Sequence, residues 1–184
     1  MRTVLYGAAT SLDGDIARRD GSVDWLHWSG DVAAITAAYW RTIDTVVMGR
    51  KTYDVARAAG AAVYADKQCY VYSRSLEPRV EPRFEIVAAD AVDHLRTLKA
   101  ASGAGICVMG GGELARPMFN AGLIDEVGLN IQPVLLGAGI PMFHPMTMQF
   151  DLELVEERRL EHGCVYVRYR VVRGREERIA RGAI

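Results

Sequence analysis

Three short segments place glycine, hydroxyl and cationic residues directly after apolar runs. The runs VVMG, YVYS and ICVMG are followed by Arg-Lys-Thr, Arg-Ser and Gly-Gly-Glu-Leu, respectively. Hydroxyl groups, arginine, lysine and bare backbone N–H groups donate hydrogen bonds to anions, and glycine lets a ligand approach the backbone closely. Each segment alone is common in loops and on solvated surfaces. Together they predict an anion-binding site, provided that the fold brings them to one place.

An alternation of strands and helices could bring them there. Apolar runs predict buried strands at 2–10, 44–48, 68–72, 84–88 and 105–109, with helices over 31–43, after Gly49, over 90–101 and over 112–120. Strands at 126–133, 151–160 and 164–172 then follow without helices, and the last two form a hairpin around His162-Gly163. We predict an α/β fold with three layers (α/β/α) and a mixed, mostly parallel sheet with antiparallel C-terminal strands.

All three polar segments follow the carboxyl ends of predicted strands. In an open α/β sheet, ligands bind beyond these ends, where helix N-termini present unpaired N–H groups and a partial positive charge. The third segment also fits the spacing G-x-G-x-x-A of a Rossmann fingerprint. That interpretation fails, because Asn130 and Gln132 rather than an acid lie near the ribose position and only antiparallel strands follow. A different dinucleotide-binding fold is needed.

The composition fits one soluble domain without export or membrane signals. The chain has 184 residues, 50% of them hydrophobic, and a net charge of −1, so it lacks the basic surface of a nucleic-acid binder. No apolar window reaches the ~18 residues of a membrane span. The cysteines Cys69, Cys107 and Cys164 lie in apolar runs and predict buried thiols in a reducing cytoplasm. We expect one domain over 1–174, a charged tail over 175–184 and no metal site.

The ordered set of motifs resembles a known family. The segments are ATSLDGDIA (9–17), VMGRKTY (47–53), YSRSL (72–76), VMGGGEL (108–114), LIDEV (123–127) and PVLLGAGIPMF (133–143). In this order they resemble the dihydrofolate reductase-like superfamily, most closely the branch of the reductase domain of bacterial riboflavin biosynthesis. The resemblance spans nearly the whole chain and implies a dihydrofolate reductase-like fold.

The resemblance also implies a reductase that binds NADPH. It places the nicotinamide against the end of the first strand and the loop after it, and the phosphates against the three polar segments. Two arginines and a lysine near one site favour the 2'-phosphate of NADPH over NADH. The implied cofactor-binding residues are Ala9, Ile16, Gly49, Arg50, Lys51, Thr52, Ser73, Arg74, Gly111, Gly112, Glu113 and Leu114.

The sequence gives fewer indications of the residues that bind the substrate or donate a proton. Folate reductases place a carboxylate on the helix after the first loop, and the candidate here is Asp31, which could equally cap that helix. The predicted substrate-pocket residues are Asp13, Trp25, Met109, Asn130 and Gln132.

We expect hydride transfer to a small polar heterocycle, imine or carbonyl compound. The alternatives are an NADP-binding protein without catalytic activity, such as a sensor, and a true dihydrofolate reductase. The apolar, Gly/Pro-rich segment 133–146 predicts a homodimer. The expected partners are therefore a small-molecule substrate and a second copy of the chain, without nucleic acid or membrane.

Overall fold

The computed structural model describes residues 1–60, 64–81 and 83–172, so the predicted tail 175–184 lies outside the described residues. This part of the chain forms eleven strands and four α-helices. In chain order they are β1 (Val4–Thr10), β2 (Asp15–Arg18), α1 (Gly30–Arg41), β3 (Ile43–Gly49), α2 (Arg50–Ala58), β4 (Gln68–Tyr72), β5 (Arg79–Val80), β6 (Phe84–Val87), α3 (Ala91–Ala100), β7 (Gly105–Met109), α4 (Gly112–Asn120), β8 (Glu126–Ile131), β9 (Gly139–Pro141), β10 (Asp151–Arg159) and β11 (Val165–Val172).

Nine strands form one mixed sheet in the order β10-β11-β8-β1-β7-β3-β4-β6-β5. Every pair from β8 to β6 is parallel, and the pairs that involve β5, β10 and β11 are antiparallel. The carboxyl ends of the parallel strands therefore meet at one edge of the sheet, which we call the carboxyl edge. The predicted mixed, mostly parallel sheet with antiparallel C-terminal strands is confirmed. The prediction that only antiparallel strands follow α4 was wrong for β8, which pairs in parallel with β1.

Helices cover both faces of this sheet. On one face, α1 and α2 bury Tyr53, Val46 and Met48 in one apolar cluster, against which Tyr39 and Trp40 pack. On the other, α3 and α4 bury Leu95 and Met118 together with the opposite side chains of the strands. Alternate residues of a strand point to opposite faces, so near-continuous apolar runs such as TVVM of β3 are what a sheet covered on both sides requires. These two clusters make the three-layer architecture.

A second, two-stranded sheet lies where the sequence predicted only loops. The strands β2 and β9 pair antiparallel and lie within segments 12–30 and 133–146, for which no strand was predicted. Asp15 pairs with Pro141, so the pairing joins chain segments more than a hundred residues apart. Strands this short carry too little local periodicity to be recognised. The apolar segment after β8 is thus partly explained by folding back onto the chain's own first loop.

The C-terminal hairpin follows the predicted turn. His162 adopts a left-handed conformation (φ 58°) and Gly163 has φ 77°, which reverses the chain between β10 and β11. None of the helices in the described ranges is long and apolar enough to cross a membrane. The three cysteines are free and buried, as predicted.

Candidate functional site

The three polar segments lie side by side at the carboxyl edge. Their strands, β7, β3 and β4, are consecutive neighbours in the sheet, and register pairs Met48 with Met109 and Gly49 with Tyr72. The carboxyl ends of these three strands are therefore level with one another along the strand direction. With about 4.8 Å between neighbouring strands, the three ends span about 10 Å. We call the three turns that follow them, Gly49–Thr52, Ser73–Leu76 and Gly110–Leu114, the three-turn site.

Two helices start in this site without a side-chain cap. The N-cap residues of α2 and α4 are Gly49 and Gly111, and neither helix start has a side-chain hydrogen bond at its cap. By contrast, the Asp90 carboxylate accepts the N–H groups of Val92 and Asp93 at the start of α3. The first N–H groups of α2 and α4 are thus left for a ligand, and the helix dipoles make both ends favourable for negative charge.

The first and third turns are in contact. Gly110 has φ 123°, and a Cβ atom added to it would lie 2.6 Å from Thr52 Oγ1. The Thr52 side chain therefore occupies the space that any larger residue at position 110 would need. This contact fixes the start of α2 against the turn that leads into α4.

The second turn is held by the first. Arg50 Nη1 donates a hydrogen bond of 2.8 Å to Ser75 Oγ, and Ser73 Oγ accepts the N–H groups of Ser75 (3.2 Å) and Leu76 (3.1 Å). Lys51 and Arg74 are exposed, and neither makes a hydrogen bond or ion pair within residues 1–60, 64–81 and 83–172. The site thus carries cationic groups that are available to an anion.

The glycines at 110–112 serve different purposes. Gly110 and Gly112 lack side chains because other parts of the protein occupy that space. Thr52 lies against Gly110, and a Cβ on Gly112 would lie 2.7 Å from the Met142 carbonyl oxygen and the His144 nitrogen. A Cβ on Gly111 would meet nothing closer than 3.8 Å, from Ile16 and Ile140. Gly111 is the least crowded of the three, and its missing side chain faces β2 and β9 at ordinary van der Waals distance. Glu113 in the first turn of α4 is exposed, and Leu114 packs against the core.

A cleft of about 220 Å³ lies next to the three-turn site, between α1 and the sheet. Ala9, Met109 and Asn130 form part of its sheet side, and Trp28 and Tyr39 form part of its helix side. No charged side chain is found among the described residues that line it. We call it the α1 cleft. It contains two predicted substrate-pocket residues, Met109 and Asn130, and the predicted nicotinamide contact Ala9.

Two other predicted pocket residues lie elsewhere. Trp25 is buried and is not among the residues that line the cleft. Gln132 is 1% exposed, and its Oε1 accepts the His27 N–H at 2.9 Å and the Cys164 thiol at 3.3 Å. Gln132 therefore joins the loop before α1 to the last hairpin.

Asp13 acts as a bridge between two loops. Its carboxylate accepts the N–H groups of Leu136 (3.1 Å) and Gly137 (2.8 Å). The Ser11 hydroxyl and these two N–H groups lower the pKa of Asp13 to about 2. These contacts are those of a turn-ordering residue, the commoner role for aspartate in a loop.

Asp31 makes the contacts of a structural cap. Its carboxylate accepts the Ser29 hydroxyl, the Val32 N–H at 2.7 Å and the Glu161 N–H at 2.8 Å. The Ser29 hydroxyl, and then the Glu161 N–H, lower the pKa of Asp31. A carboxylate with a lowered pKa is a poor proton donor at neutral pH. Asp31 also lines a neighbouring groove rather than the α1 cleft. Its catalytic role stays a prediction that this geometry does not favour.

Several residues of the cleft were not predicted as site residues. Tyr39 and Trp40 come from α1, and Tyr166 comes from the distant β11. One local signal was available: a glycine inside a strand often marks close backbone approach. Gly7 of β1 is such a residue, since a Cβ there would lie 2.7 Å from the Gly128 carbonyl oxygen.

Comparison with known proteins identifies relatives along nearly the whole chain. The model of the family described as the RibD C-terminal domain matches residues 2–166. The uncharacterized protein YwjB of Bacillus subtilis (strain 168) is 37% identical over 155 residues, which cover 83% of this chain and 88% of that protein. The crystal structure of a candidate riboflavin biosynthesis protein from Shewanella sp. PV-4 superposes with a TM-score of 0.81. The two chains are 26% identical, and the match covers 93% of this chain and 99% of that one.

Two more distant structures share the fold. One is the diaminohydroxyphosphoribosylaminopyrimidine deaminase/5-amino-6-(5-phosphoribosylamino)uracil reductase of Thermotoga maritima, with a TM-score of 0.69 at 16% identity over 93% of this chain and 57% of that one. The other is dihydrofolate reductase of Enterococcus faecalis complexed with NADP(H), with a TM-score of 0.66 at 15% identity over 92% and 96% of the two chains. The predicted dihydrofolate reductase-like fold is confirmed.

Proposed function

We propose that this chain, which belongs to the RibD C-terminal domain family, is an NADPH-dependent reductase of a small polar substrate. Family membership confirms the resemblance that the sequence motifs predicted. It favours a reductase of the riboflavin-pathway type. The cofactor, the hydride transfer and the class of substrate are our proposal.

The observation that supports the proposal most strongly is the convergence of two uncapped helix N-termini at one end of the sheet. Gly49 leaves open space before α2, and Gly111 leaves the backbone at the start of α4 without a side chain. Thr52 packed against Gly110 holds the two helix starts together. Free N–H groups, glycine backbone and positive helix ends are the features that bind a diphosphate. The residues present therefore fit the diphosphate of a dinucleotide.

Three cations flank this position and favour a phosphorylated cofactor. Arg50 reaches Ser75, and the exposed Lys51 and Arg74 lie beside it on the first and second turns. Hydrogen bonds from such groups to a phosphate contribute about 1.5–3 kcal/mol each, which corresponds to about 10- to 150-fold in affinity. The 2'-phosphate would lie among these three side chains, with Ser73 beside them.

The substrate would bind in the α1 cleft. When bound, NADPH supplies the hydride, and this chain's own residues bind and orient the two reactants. Ala9 and Met109 border the cleft at the ends of β1 and β7, next to the three-turn site. The uncharged lining argues against folate, since folate reductases place a carboxylate in this pocket.

The first experiment measures cofactor binding. We expect NADPH to quench the fluorescence of Trp28 and Trp40 and to bind about 10- to 150-fold more tightly than NADH. Arg50→Ala should remove most of this preference. Arg41→Ala is the matched control, because Arg41 is exposed at the last turn of α1. Equal dissociation constants for NADPH and NADH in the unaltered protein would contradict the cofactor assignment.

The second experiment measures turnover. The absorbance of NADPH is followed with a ribosylaminopyrimidinone, dihydrofolate, and a panel of quinones and aldehydes. Oxidation of NADPH by one of the polar compounds is expected. Tight NADPH binding without turnover of any of them would instead favour the non-catalytic, NADP-binding alternative.

A further inference from the structure

We propose that Asn130 and Tyr39 select the substrate of the α1 cleft, admitting uncharged planar rings that donate an N–H hydrogen bond and rejecting cationic rings. This inference rests on the proposed function in one respect, which is that the α1 cleft is the substrate site. Neither residue was assigned this role by the sequence motifs.

Two buried polar atoms in the cleft lack a strong hydrogen-bond partner. Asn130 Oδ1 and the Tyr39 hydroxyl are both shielded from solvent. Asn130 Oδ1 accepts no hydrogen bond from the described residues, and the Tyr39 hydroxyl has only the Cys107 thiol, a weak acceptor, beside it. A buried polar group without a partner is costly, and such groups in native proteins are rare enough to need a cause. A ligand that supplies the missing partners removes the cost, whereas an analogue without them leaves it in place. The two atoms therefore mark where a substrate would be recognised.

The strands and α1 bring these atoms to one cleft. Asn130 of β8 lies directly opposite Tyr166 of β11 in the antiparallel register, so their side chains share a face of the sheet. That is the face covered by α1, because Asn130, Tyr166 and Tyr39 all line the α1 cleft. The Tyr166 hydroxyl is also the nearest atom to a Cβ built on Gly128, at 3.7 Å. An amide and two phenols thus border one narrow space.

The floor of this space suits a flat ring. Gly7 and Gly128 lie on adjacent strands and contribute no side chains to it. Trp28 and Val32 supply apolar contacts from the helix side. A planar ring can stack in such a gap with its edge towards Asn130, where the side-chain amide offers both an acceptor and a donor.

The charge of the cleft excludes a cationic ring. No carboxylate is among its described lining residues, and Asp31 is held by Ser29, Val32 and Glu161 in the neighbouring groove. Burial raises the pKa of Tyr39 well above its ordinary value, so this phenol stays neutral and keeps its proton. A cation would lose its hydration here without gaining a counter-charge.

A matched pair of small rings tests this proposal. Neutral 2-pyridone carries an N–H beside a carbonyl, and protonated 2-aminopyridine has nearly the same size but carries a positive charge. In mildly acidic buffer, quenching of Trp28 and Trp40 should show that the unaltered protein binds 2-pyridone at least tenfold more tightly. Asn130→Asp should reverse the order, because a carboxylate accepts two charge-assisted N–H bonds from the aminopyridinium ion.

Two controls separate recognition from folding. Asn120→Asp, at the last residue of α4, and Tyr70→Phe, on the sheet face opposite α1, should leave both affinities unchanged. Tyr39→Phe should weaken 2-pyridone binding severalfold and leave aminopyridinium binding unaltered. If Asn130→Asp does not change the order, or the unaltered protein fails to bind 2-pyridone at millimolar concentration, the proposal is wrong. Both ligands are titrated with and without NADPH, so a failure of NADPH binding is recognised separately.

Discussion

Replacing Gly111 with alanine is expected to weaken NADPH binding while leaving the fold intact. The added methyl group would lie 3.8 Å from Ile16 and Ile140, which is an ordinary van der Waals distance. The free energy of unfolding should therefore change by less than about 0.5 kcal/mol. The same methyl group would lie at the start of α4, where we propose that the diphosphate binds, so the dissociation constant for NADPH should rise at least about tenfold, or 1.4 kcal/mol.

The neighbouring variant Gly112→Ala should show the opposite result. Its methyl group would lie 2.7 Å from backbone atoms of Met142 and His144, which cannot move as a flexible side chain would. Overpacking of this kind costs about 1–3 kcal/mol. For a chain of this size the melting temperature should fall by about 2–12 °C.

Thermal unfolding and NADPH titration of the two variants are compared with those of Gly30→Ala. Gly30 is the first residue of α1 and has no atom near its missing Cβ, so its replacement should change neither quantity. The reasoning is refuted if Gly111→Ala binds NADPH as tightly as the unaltered protein. It is also refuted if Gly112→Ala is as stable as the unaltered protein, since the close approach inferred from the geometry would then be absent.

The remaining predictions concern carboxylates. The pKa of Asp13 is lowered to about 2, so its bond to the Gly137 N–H is at full strength above the ordinary pKa of about 3.9 and is lost as pH falls towards 2. Hydrogen-exchange protection of Gly137 should fall over this window, but not in Asp13→Asn. Asp125→Ala should lower the free energy of unfolding by about 3 kcal/mol, measured in urea, because it leaves the buried Lys99 ammonium without its counter-charge at 2.6 Å. This is the low end for a buried pair, since Asp125 is 39% exposed. Asp31→Asn should leave NADPH-dependent turnover unchanged, and a large loss of kcat would restore Asp31 as a catalytic residue.

The main strands and helices could be predicted because their signals are local. The run TVVM, the cap Asp90 before α3 and the left-handed pair His162-Gly163 each specify the backbone within a few residues. The convergence of the three polar segments followed from them, because adjacent parallel strands must end at one edge. Sequence periodicity therefore predicted that the three turns lie at the carboxyl edge, whereas the neighbouring order of β7, β3 and β4 is a tertiary feature.

The contacts of the site depended on tertiary structure. Nothing local shows that β2 pairs with β9, or that Gly112 has no side chain because the chain returns at Met142. All three glycines were interpreted as backbone open to a ligand, but Gly110 and Gly112 lack side chains because the protein itself occupies that space. The same limit applies to Asn130 and Tyr166, whose pairing across β8 and β11 depends on strand order rather than on spacing in the sequence.

The three-turn site and the α1 cleft are adjacent because they share the same strand ends. Met109 lines the cleft, and Gly110, the next residue, contacts Thr52 in the three-turn site. A dinucleotide held by the turns would reach the cleft without any movement of the sheet. Under the proposed function, cofactor and substrate would therefore both bind at the carboxyl edge, on either side of the end of β7.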